Sequence, residues 1–82
     1  MSEYTYKIDF HNDGSVETER WFKDDKLHRE VDKPAWIWYS NDGSLETECW
    51  YKDGRLYREG DKSALIFYHE DGSVYFEYDS EE

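Results

Sequence analysis

An internal repeat constrains the fold of this chain more than any other feature. The triplet Asp-Gly-Ser begins at Asp13, Asp42 and Asp71, with a spacing of 29 residues. Aligning residues 12–40 with residues 41–69 gives about 18 identities, so the chain contains two copies of one unit. We predict a single domain with four parts: an N-terminal half-repeat cap at 1–11, repeat 1 at 12–40, repeat 2 at 41–69 and a C-terminal half-repeat cap at 70–82.

Each copy has the pattern of three strands joined by short turns. The first strand, residues 16–23 or 45–52, is rich in β-branched and aromatic residues and ends at Asp24-Asp25 or Asp53-Gly54, a typical hairpin turn. A short second strand follows, and a looser connection leads to a third strand. An Asn-Asp-Gly turn, with glycine in the left-handed region, then leads into the next copy.

No segment has the periodicity of a helix, and the glycines fall in predicted turns or connections. The sequence therefore predicts an all-β protein: an antiparallel up-and-down meander of about eight strands, in a single-layer or curved sheet. Whether the sheet stays open or closes into a barrel is left open by the pattern.

Alternation along the strands divides the side chains between two faces. We expect one face to form the core, with Tyr4, Tyr6, Ile8, Phe10, Val16, Thr18, Phe22, Leu27, Ala35, Ile37, Tyr39, Leu45, Cys49, Tyr51, Leu56, Ala64, Ile66, Tyr68, Val74, Phe76 and Tyr78. We expect the other face to carry Trp21, Trp36, Trp38, Trp50, Tyr57, Leu65, Phe67 and Tyr75 among charged residues.

That second face supplies the candidate binding site, because an aromatic band on a sheet surface often marks an interface. Its acidic members come from the first strand of each copy. The candidate partner-binding residues are Trp21, Trp36, Trp38, Trp50, Tyr57, Phe67, Glu17, Glu19, Glu46 and Glu48. The alternative is that the rings are packed by lysine and arginine stems and by cross-strand neighbours, with no partner.

The net charge of −11 makes anionic partners unfavourable. We therefore predict no direct binding of nucleic acid or membrane, and a protein partner with a basic surface. A single cysteine, Cys49, excludes an internal disulfide and suits a reducing compartment. The N-terminal residues lack the pattern of a signal peptide, and we expect a cytoplasmic location.

Residue patterns typical of catalysis or metal binding are weak. Glu17 and Glu19 are expected to point the same way about 7 Å apart, but a glycosidase also needs a cleft and unlike environments for its two carboxyl groups. The three histidines have no metal-binding spacing, and Cys49 has no activating histidine nearby in sequence. We predict no enzymatic activity, no catalytic residues, no metal site and no cofactor.

Residues 21–27 and 50–56, with the pattern W-F/Y-K-D-D/G-K/R-L, resemble MORN-like repeats. Those repeats are hairpins with Trp or Tyr before a short turn and Leu after it. Residues 27–35 and 56–64 are similar to a longer variant of the repeat, found in phage, giant-virus and bacterial proteins, including MORN-variant antitoxins. MORN units run about 23 residues with more glycine, so the 29-residue period departs from the pattern. The resemblance implies an elongated or curved single-layer sheet and a scaffold or binding role.

Three functional hypotheses remain at this point. The first is a non-enzymatic protein–protein interaction module that uses the aromatic, acid-edged face and also associates with itself as a homodimer. The second is an acidic inhibitor of phage type, which mimics nucleic acid or acts like an antitoxin against a host nucleic-acid-binding or defence enzyme. The third is a repeat fragment without activity of its own.

Overall fold

The structure is a computed structural model, which describes residues 2–80. It contains strands and no helix among these residues. The strands are β1 (Tyr4–Phe10), β2 (Val16–Lys23), β3 (Lys26–Leu27), β4 (Trp36–Tyr39), β5 (Leu45–Cys49), β6 (Tyr51–Lys52), β7 (Arg55–Leu56), β8 (Leu65–Tyr68) and β9 (Val74–Tyr78).

Seven of the nine strands in residues 2–80 form one open antiparallel sheet. Its order is β1-β2-β4-β5-β8-β9, with β3 paired to the end of β2, while β6 and β7 form a separate two-stranded sheet. The predicted all-β meander is confirmed, and the sheet does not close into a barrel. The molecule measures 37 × 28 × 17 Å along its principal axes, and all the long strands follow one another in a single hydrogen-bonded order.

The turns between the long strands follow the predicted geometry. Gly14 has a φ of +91°, and its N–H donates to the carbonyl of His11 at 3.0 Å, while the N–H of His11 donates to the carbonyl of Ser15. The same hydrogen bonds recur at residues 40–44 and 69–73. Glycine suits this position because a left-handed backbone has no Cβ penalty there. All three turns lie at one end of the sheet, which we call the turn edge and define as residues 11–17, 40–46 and 69–75.

Hairpins that we call arms project from the other end of the sheet. The first arm spans residues 21–33 and the second spans residues 50–62, and each is closed by a two-residue turn with positive φ at both positions, as a type I′ turn requires. The arms contact each other, since the N–H of Gly54 donates to the carbonyl of Leu27 at 2.8 Å. The predicted second strand is shorter than expected, because β3 and β7 have only two residues each.

The predicted assignment of side chains to faces is wrong beyond the turns, because each turn is followed by a β-bulge. Phe10 lies opposite Val16, as predicted, but the next pair is Asp9 with Thr18, so Glu17 is an extra residue. A shift of one residue moves every later side chain to the opposite face. Equivalent register shifts occur between β4 and β5 and between β8 and β9.

Cross-strand partners share a face, so the register defines the two sides of the sheet. The side that we call the tryptophan face carries Thr18, Arg20, Phe22, Leu27, Trp36, Trp38, Thr47, Cys49, Leu65, Phe67, Phe76 and Tyr78. The side that we call the isoleucine face carries Tyr6, Ile8, Phe10, Val16, Glu19, Trp21, Ile37, Tyr39, Leu45, Glu48, Ile66, Tyr68, Val74 and Glu77.

The buried core is small and draws on both faces. Its hydrophobic members are Ala35, Ile37, Cys49, Trp50, Leu56 and Ala64, and no large side chain is completely buried among the described residues. Thr18 and Thr47 are also buried. Thr47 lies between Trp38 and Phe67 in the register, and Thr18 lies between Asp9 and Trp38. A single-layer sheet of this size therefore leaves most of its aromatic surface partly exposed to water.

Candidate functional site

The structure divides the predicted binding residues between the two faces instead of bringing them together. Trp36, Trp38 and Phe67 lie on the tryptophan face, and Glu17 and Glu46 occupy the bulges beside it. Trp21, Trp50, Glu19 and Glu48 lie on the isoleucine face, and Tyr57 lies in the second arm.

An aromatic strip crosses the tryptophan face. The rings of Trp36 and Trp38 are stacked, with centroids 5.5 Å apart and planes inclined by 22°, and both side chains are half-buried. Thr47 lies between Trp38 and Phe67 in the register. The strip continues to the last strand, because the rings of Phe67 and Phe76 are 5.7 Å apart.

The opposite face carries a row of alternating isoleucine and glutamate. One residue from each long strand contributes, in the order Ile8, Glu19, Ile37, Glu48, Ile66 and Glu77. The hydroxyl of Tyr39 donates to Glu19 at 2.7 Å, and that of Tyr68 donates to Glu48 at 2.5 Å. Burial, together with these carboxylates, raises the pKa of Tyr39 and of Tyr68 to about 12. Glu77 accepts a hydrogen bond from the hydroxyl of Ser63 at 2.9 Å, so all three glutamates are bound within the chain.

Trp21 and Trp50 are covered by arginine side chains. The guanidinium carbon of Arg58 lies 3.7 Å from the ring centroid of Trp50, and that of Arg29 lies 4.0 Å from Trp21. Arg58 also donates to the carbonyl of Ser63 at 3.1 Å, which ties the arm to the start of β8. For these two tryptophans the geometry matches the alternative reading of the aromatic band, in which cationic stems pack against the rings.

The paired glutamates do not point the same way, in contrast to the prediction. Glu48 binds Tyr68 on the isoleucine face, whereas Glu46, in the bulge, accepts a hydrogen bond from the hydroxyl of Ser40 at 2.6 Å. Glu17, in the equivalent bulge, lies 3.5 Å from the ring of His11. The bulge therefore separates each pair of carboxylates, and it leaves one of each pair beside the tryptophan face.

Charge is segregated along the strands. The turn edge carries six Asp or Glu residues and no Lys or Arg, whereas the two arms carry eight of the ten Lys and Arg residues together with seven acids. Hydrogen bonds from Ser15 lower the pKa of Asp13, and the equivalent serines lower the pKa of Asp42 and Asp71. The turn edge is therefore a negatively charged border of the sheet at neutral pH.

A groove of about 280 Å³ lies between the two arms. His28 lines it and is buried, with Nδ1 accepting from the N–H of Asp53 at 3.0 Å and Nε2 2.9 Å from Glu30. Tyr57, predicted for the binding site, also lines the groove. The Lys52 ammonium lies 5.5 Å from the centroid of its ring. Acidic and basic groups alternate around the groove, so it has no single charge preference.

The thiol of Cys49 lies on the tryptophan face. The prediction had placed Cys49 and Tyr39 on the same core face, but Tyr39 lies on the isoleucine face. It is buried, and burial together with the charge of Glu48 raises its pKa to about 11. Within residues 2–80, no group of three or more His, Cys, Asp and Glu side chains is arranged to hold a metal ion. None of the described segments is a helix long and apolar enough to cross a membrane.

Comparison with known proteins yields no relative. No protein-family model, no curated protein and no solved structure matches the chain. The resemblance to MORN-like repeats stays a prediction.

Sequence reasoning did not identify the arginines as partners of Trp21 and Trp50. Arg29 and Arg58 occupy the same position in the two copies, eight residues after the tryptophan, across a hairpin turn. That spacing brings them near the tryptophan, because the N–H of His28 donates to the carbonyl of Trp21. The conserved spacing within the chain was the available signal for this contact.

Proposed function

We propose that the chain is a non-enzymatic protein–protein interaction module that binds a basic protein partner through the tryptophan face. The observation that carries the proposal is the stacked, half-buried pair of Trp36 and Trp38 on one side of a single-layer sheet. No helix or second large sheet of residues 2–80 covers that side.

Stacked aromatic rings have the properties of an interface centre. They offer a large contact area at a low cost in side-chain entropy, and tryptophan is enriched among residues that dominate binding energy. Phe67 and Phe76 extend the strip, and the buried Thr47 lies between Trp38 and Phe67 in the register. The surface is therefore both apolar and preorganised.

The charge of the turn edge supports a basic partner. Its acidic side chains border the aromatic strip at the bulges, where Glu46 and Glu17 lie. A negative border raises the association rate of a basic protein and fixes its orientation, while the rings supply most of the affinity. Tyr75 replaces glutamate at the third bulge, and its ring packs 5.8 Å from Phe67, so the strip itself continues to that border.

Selection of 12-residue peptides from a random library on the immobilised chain tests the proposal. We expect basic peptides that contain apolar residues, and we expect the substitutions Trp38→Ala and Phe67→Ala each to weaken their binding at least about tenfold, or 1.4 kcal/mol. Tyr4→Ala, an exposed aromatic residue on β1, is the matched control and should leave the affinity unchanged. Equal losses for Tyr4→Ala and Trp38→Ala would show that the tryptophan face is not the site.

A second candidate is inhibition of a nucleic-acid-binding enzyme by mimicry of a phosphate backbone. The segregated charge favours it, because the acids of the turn edge are separated from the Lys and Arg of the arms. Asp13, Asp42 and Asp71 occur once per 29-residue unit along that edge. A basic ribonuclease is a suitable probe: mimicry requires inhibition that falls steeply with salt and is lost when these three aspartates become asparagine. Inhibition that depends instead on Trp38 would exclude mimicry.

A further inference from the structure

The outermost strands of the sheet, β1 and β9, each have an open edge, and the two edges correspond to strands that pair with each other inside the repeat. Every residue of β1 and every residue of β9 is exposed, including the large apolar side chains Tyr4, Tyr6, Ile8, Phe10, Val74, Tyr75, Phe76 and Tyr78. Among the described residues, no strand pairs with the outer side of either. An edge of this kind is a template for another strand.

The repeat relates these two edges to interfaces that already exist inside the chain. β1 occupies the position of β4 and β8 in the repeat, and β9 occupies the position of β2 and β5. Within the chain, β2 pairs with β4, and β5 pairs with β8, in the same register. The outer edge of β9 therefore has the form that receives a strand like β1.

The internal register predicts the pairs that such a contact would form. Glu19 lies opposite Ile37, and Glu48 lies opposite Ile66. By the same spacing, Glu77 of one molecule would lie opposite the Ile8 of a second, which continues the alternating isoleucine and glutamate row without interruption. The row begins with isoleucine on β1 and ends with glutamate on β9.

We call the contact between β9 of one molecule and β1 of the next the joint. On the tryptophan face, the joint would again place one large ring opposite one smaller side chain. Inside the chain, Thr18 lies opposite Trp38, with the large ring on the second strand. At the joint, Phe76 would lie opposite Asp9 of the next copy, with the large ring on the first strand. The carboxylate of Asp9 is already paired within its own chain, by the hydroxyl of Thr18 at 2.9 Å and the guanidinium of Arg20 at 3.2 Å.

The third pair would also place a cation opposite a ring, but on the other strands. Arg20 lies opposite Trp36 inside the chain, with the guanidinium carbon 5.8 Å from the ring centroid. At the joint, Tyr78 would lie opposite Lys7 of the next copy, so that the ring is again placed beside a cation. Each position thus keeps a compatible partner.

We propose that a second copy of this chain binds edge to edge, with β9 of one molecule antiparallel to β1 of the next. The contact is head-to-tail, so it extends the sheet and leaves the same two edges open at the ends of the assembly. The net charge of −11 per copy opposes the contact. Association should therefore strengthen with protein concentration and with salt.

Engineered disulfides test the register directly. In the Cys49→Ala background, Lys7→Cys is combined with Tyr78→Cys, which the proposal places opposite each other across the joint. Within one molecule these positions lie about 24 Å apart, because five strand spacings separate β1 from β9. A disulfide requires a Cα separation of about 4.4 to 6.8 Å, so only a contact between molecules can form it. The control combines Ile8→Cys with Tyr78→Cys, whose side chains would lie on opposite faces.

We expect mild oxidation at high salt to produce a series of linked dimers, trimers and longer chains from the first variant on non-reducing gels, and mostly monomer from the control. Equal linkage of both variants, or monomer from both at millimolar concentration, would overturn the proposal. Circular dichroism verifies that both variants keep the sheet. The inference extends the proposed function by naming a second copy as one partner, but it uses the sheet edges, so linkage is independent of the peptide-binding result with Trp38→Ala.

Discussion

Arg58 lies over the indole ring of Trp50, with 3.7 Å between the guanidinium carbon and the ring centroid. The contact fastens the second arm to the sheet, because the same guanidinium donates to the carbonyl of Ser63 and to the carboxylate of Asp32 in the first arm. Arg29 makes the corresponding contact with Trp21. Two buried or half-buried tryptophans are thereby removed from the surface that a partner could use.

Loss of the Arg58 contact should destabilise the fold. We expect Arg58→Ala to lower the free energy of unfolding by about 2 kcal/mol, since a stacked cation and several hydrogen bonds are lost together. Urea unfolding followed by tryptophan fluorescence measures the change. Arg55→Ala, which removes an exposed arginine of the same arm, is the control and should change the free energy by less than about 0.5 kcal/mol. Equal effects of the two substitutions would contradict the structural importance of the stack.

The contribution of Asp32 should depend on pH. Hydrogen bonds from Arg58, and then from Lys62, hold the pKa of Asp32 well below its usual 3.8. A depressed pKa in the folded state means that the stabilisation is complete above the unfolded pKa and is lost as the pH falls through the folded value. The difference in unfolding free energy between the wild type and Asp32→Asn should be constant from pH 7 to 5 and should shrink below about pH 4.

Urea unfolding at pH 7, 5, 4 and 3 measures that difference. Asp61→Asn is the matched change in the second copy, where no arginine or lysine of residues 2–80 contacts the carboxylate. A difference between wild type and Asp32→Asn that is the same at pH 3 and pH 7 would show that the ion pairs with the second arm contribute nothing.

A strained valine in the first arm offers a stabilising substitution. Val31 has a φ of +62° and is 84% exposed, whereas the equivalent residue of the second copy is Gly60, with a φ of +80°. A β-branched residue in the left-handed region costs about 1 to 3 kcal/mol, and glycine costs about 0.5 to 1 kcal/mol in chain entropy. We expect Val31→Gly to raise the free energy of unfolding by about 1 kcal/mol, and Tm by about 4 to 8 °C.

Differential scanning calorimetry measures this change. The reverse substitution in the other copy, Gly60→Val, should lower Tm by a similar amount, because it introduces the same strain. If Val31→Gly lowers Tm, the exposed valine has a stabilising contact that outweighs its backbone strain.

Two tyrosines should lose their protons late in an alkaline titration. Burial and the hydrogen bonds to Glu19 and Glu48 raise the pKa of Tyr39 and Tyr68 to about 12. Because these pKa values lie above the unfolded value of about 10, the stabilisation is complete below pH 10 and is lost as the pH rises through 12. Absorbance at 295 nm follows the titration.

Single variants identify each step of that titration. Tyr39→Phe and Tyr68→Phe should each remove one late-titrating group, and Glu19→Gln should lower the pKa of Tyr39 while leaving that of Tyr68 in place. A Glu19→Gln profile identical to that of the wild type would mean that the carboxylate does not reach the hydroxyl.

Much of the fold follows from local sequence signals. Gly14 and its two equivalents require positive φ, and the Asp-Asp and Asp-Gly turns set two-residue hairpins, so the strand order could be predicted from turn chemistry alone. Because the unit occurs twice, each turn that is assigned correctly in one copy is also correct in the other. The interruption of the predicted strand 45–52 into β5 and β6, and the two-residue length of β3 and β7, were not indicated by any local pattern.

The candidate site was harder to predict because it depends on the parity of the strand register. One extra residue at Glu17 and at Glu46 separated the predicted aromatic face into Trp36 and Trp38 on one side and Trp21 and Trp50 on the other. Bulges of this kind commonly follow short hairpin loops, but their position is decided by packing of both strands. An isolated strand sequence cannot reveal it.

The four tryptophans provide the most direct test of the central claim, because two lie on each face. Incorporation of 5-fluorotryptophan gives four ¹⁹F resonances, which single Trp→Phe variants assign, and a selected basic peptide is then titrated into the labelled chain. The tryptophan-face proposal predicts that the resonances of Trp36 and Trp38 shift, while those of Trp21 and Trp50, covered by arginine, stay in place. Shifts of Trp21 and Trp50 with Trp36 and Trp38 unchanged would contradict it.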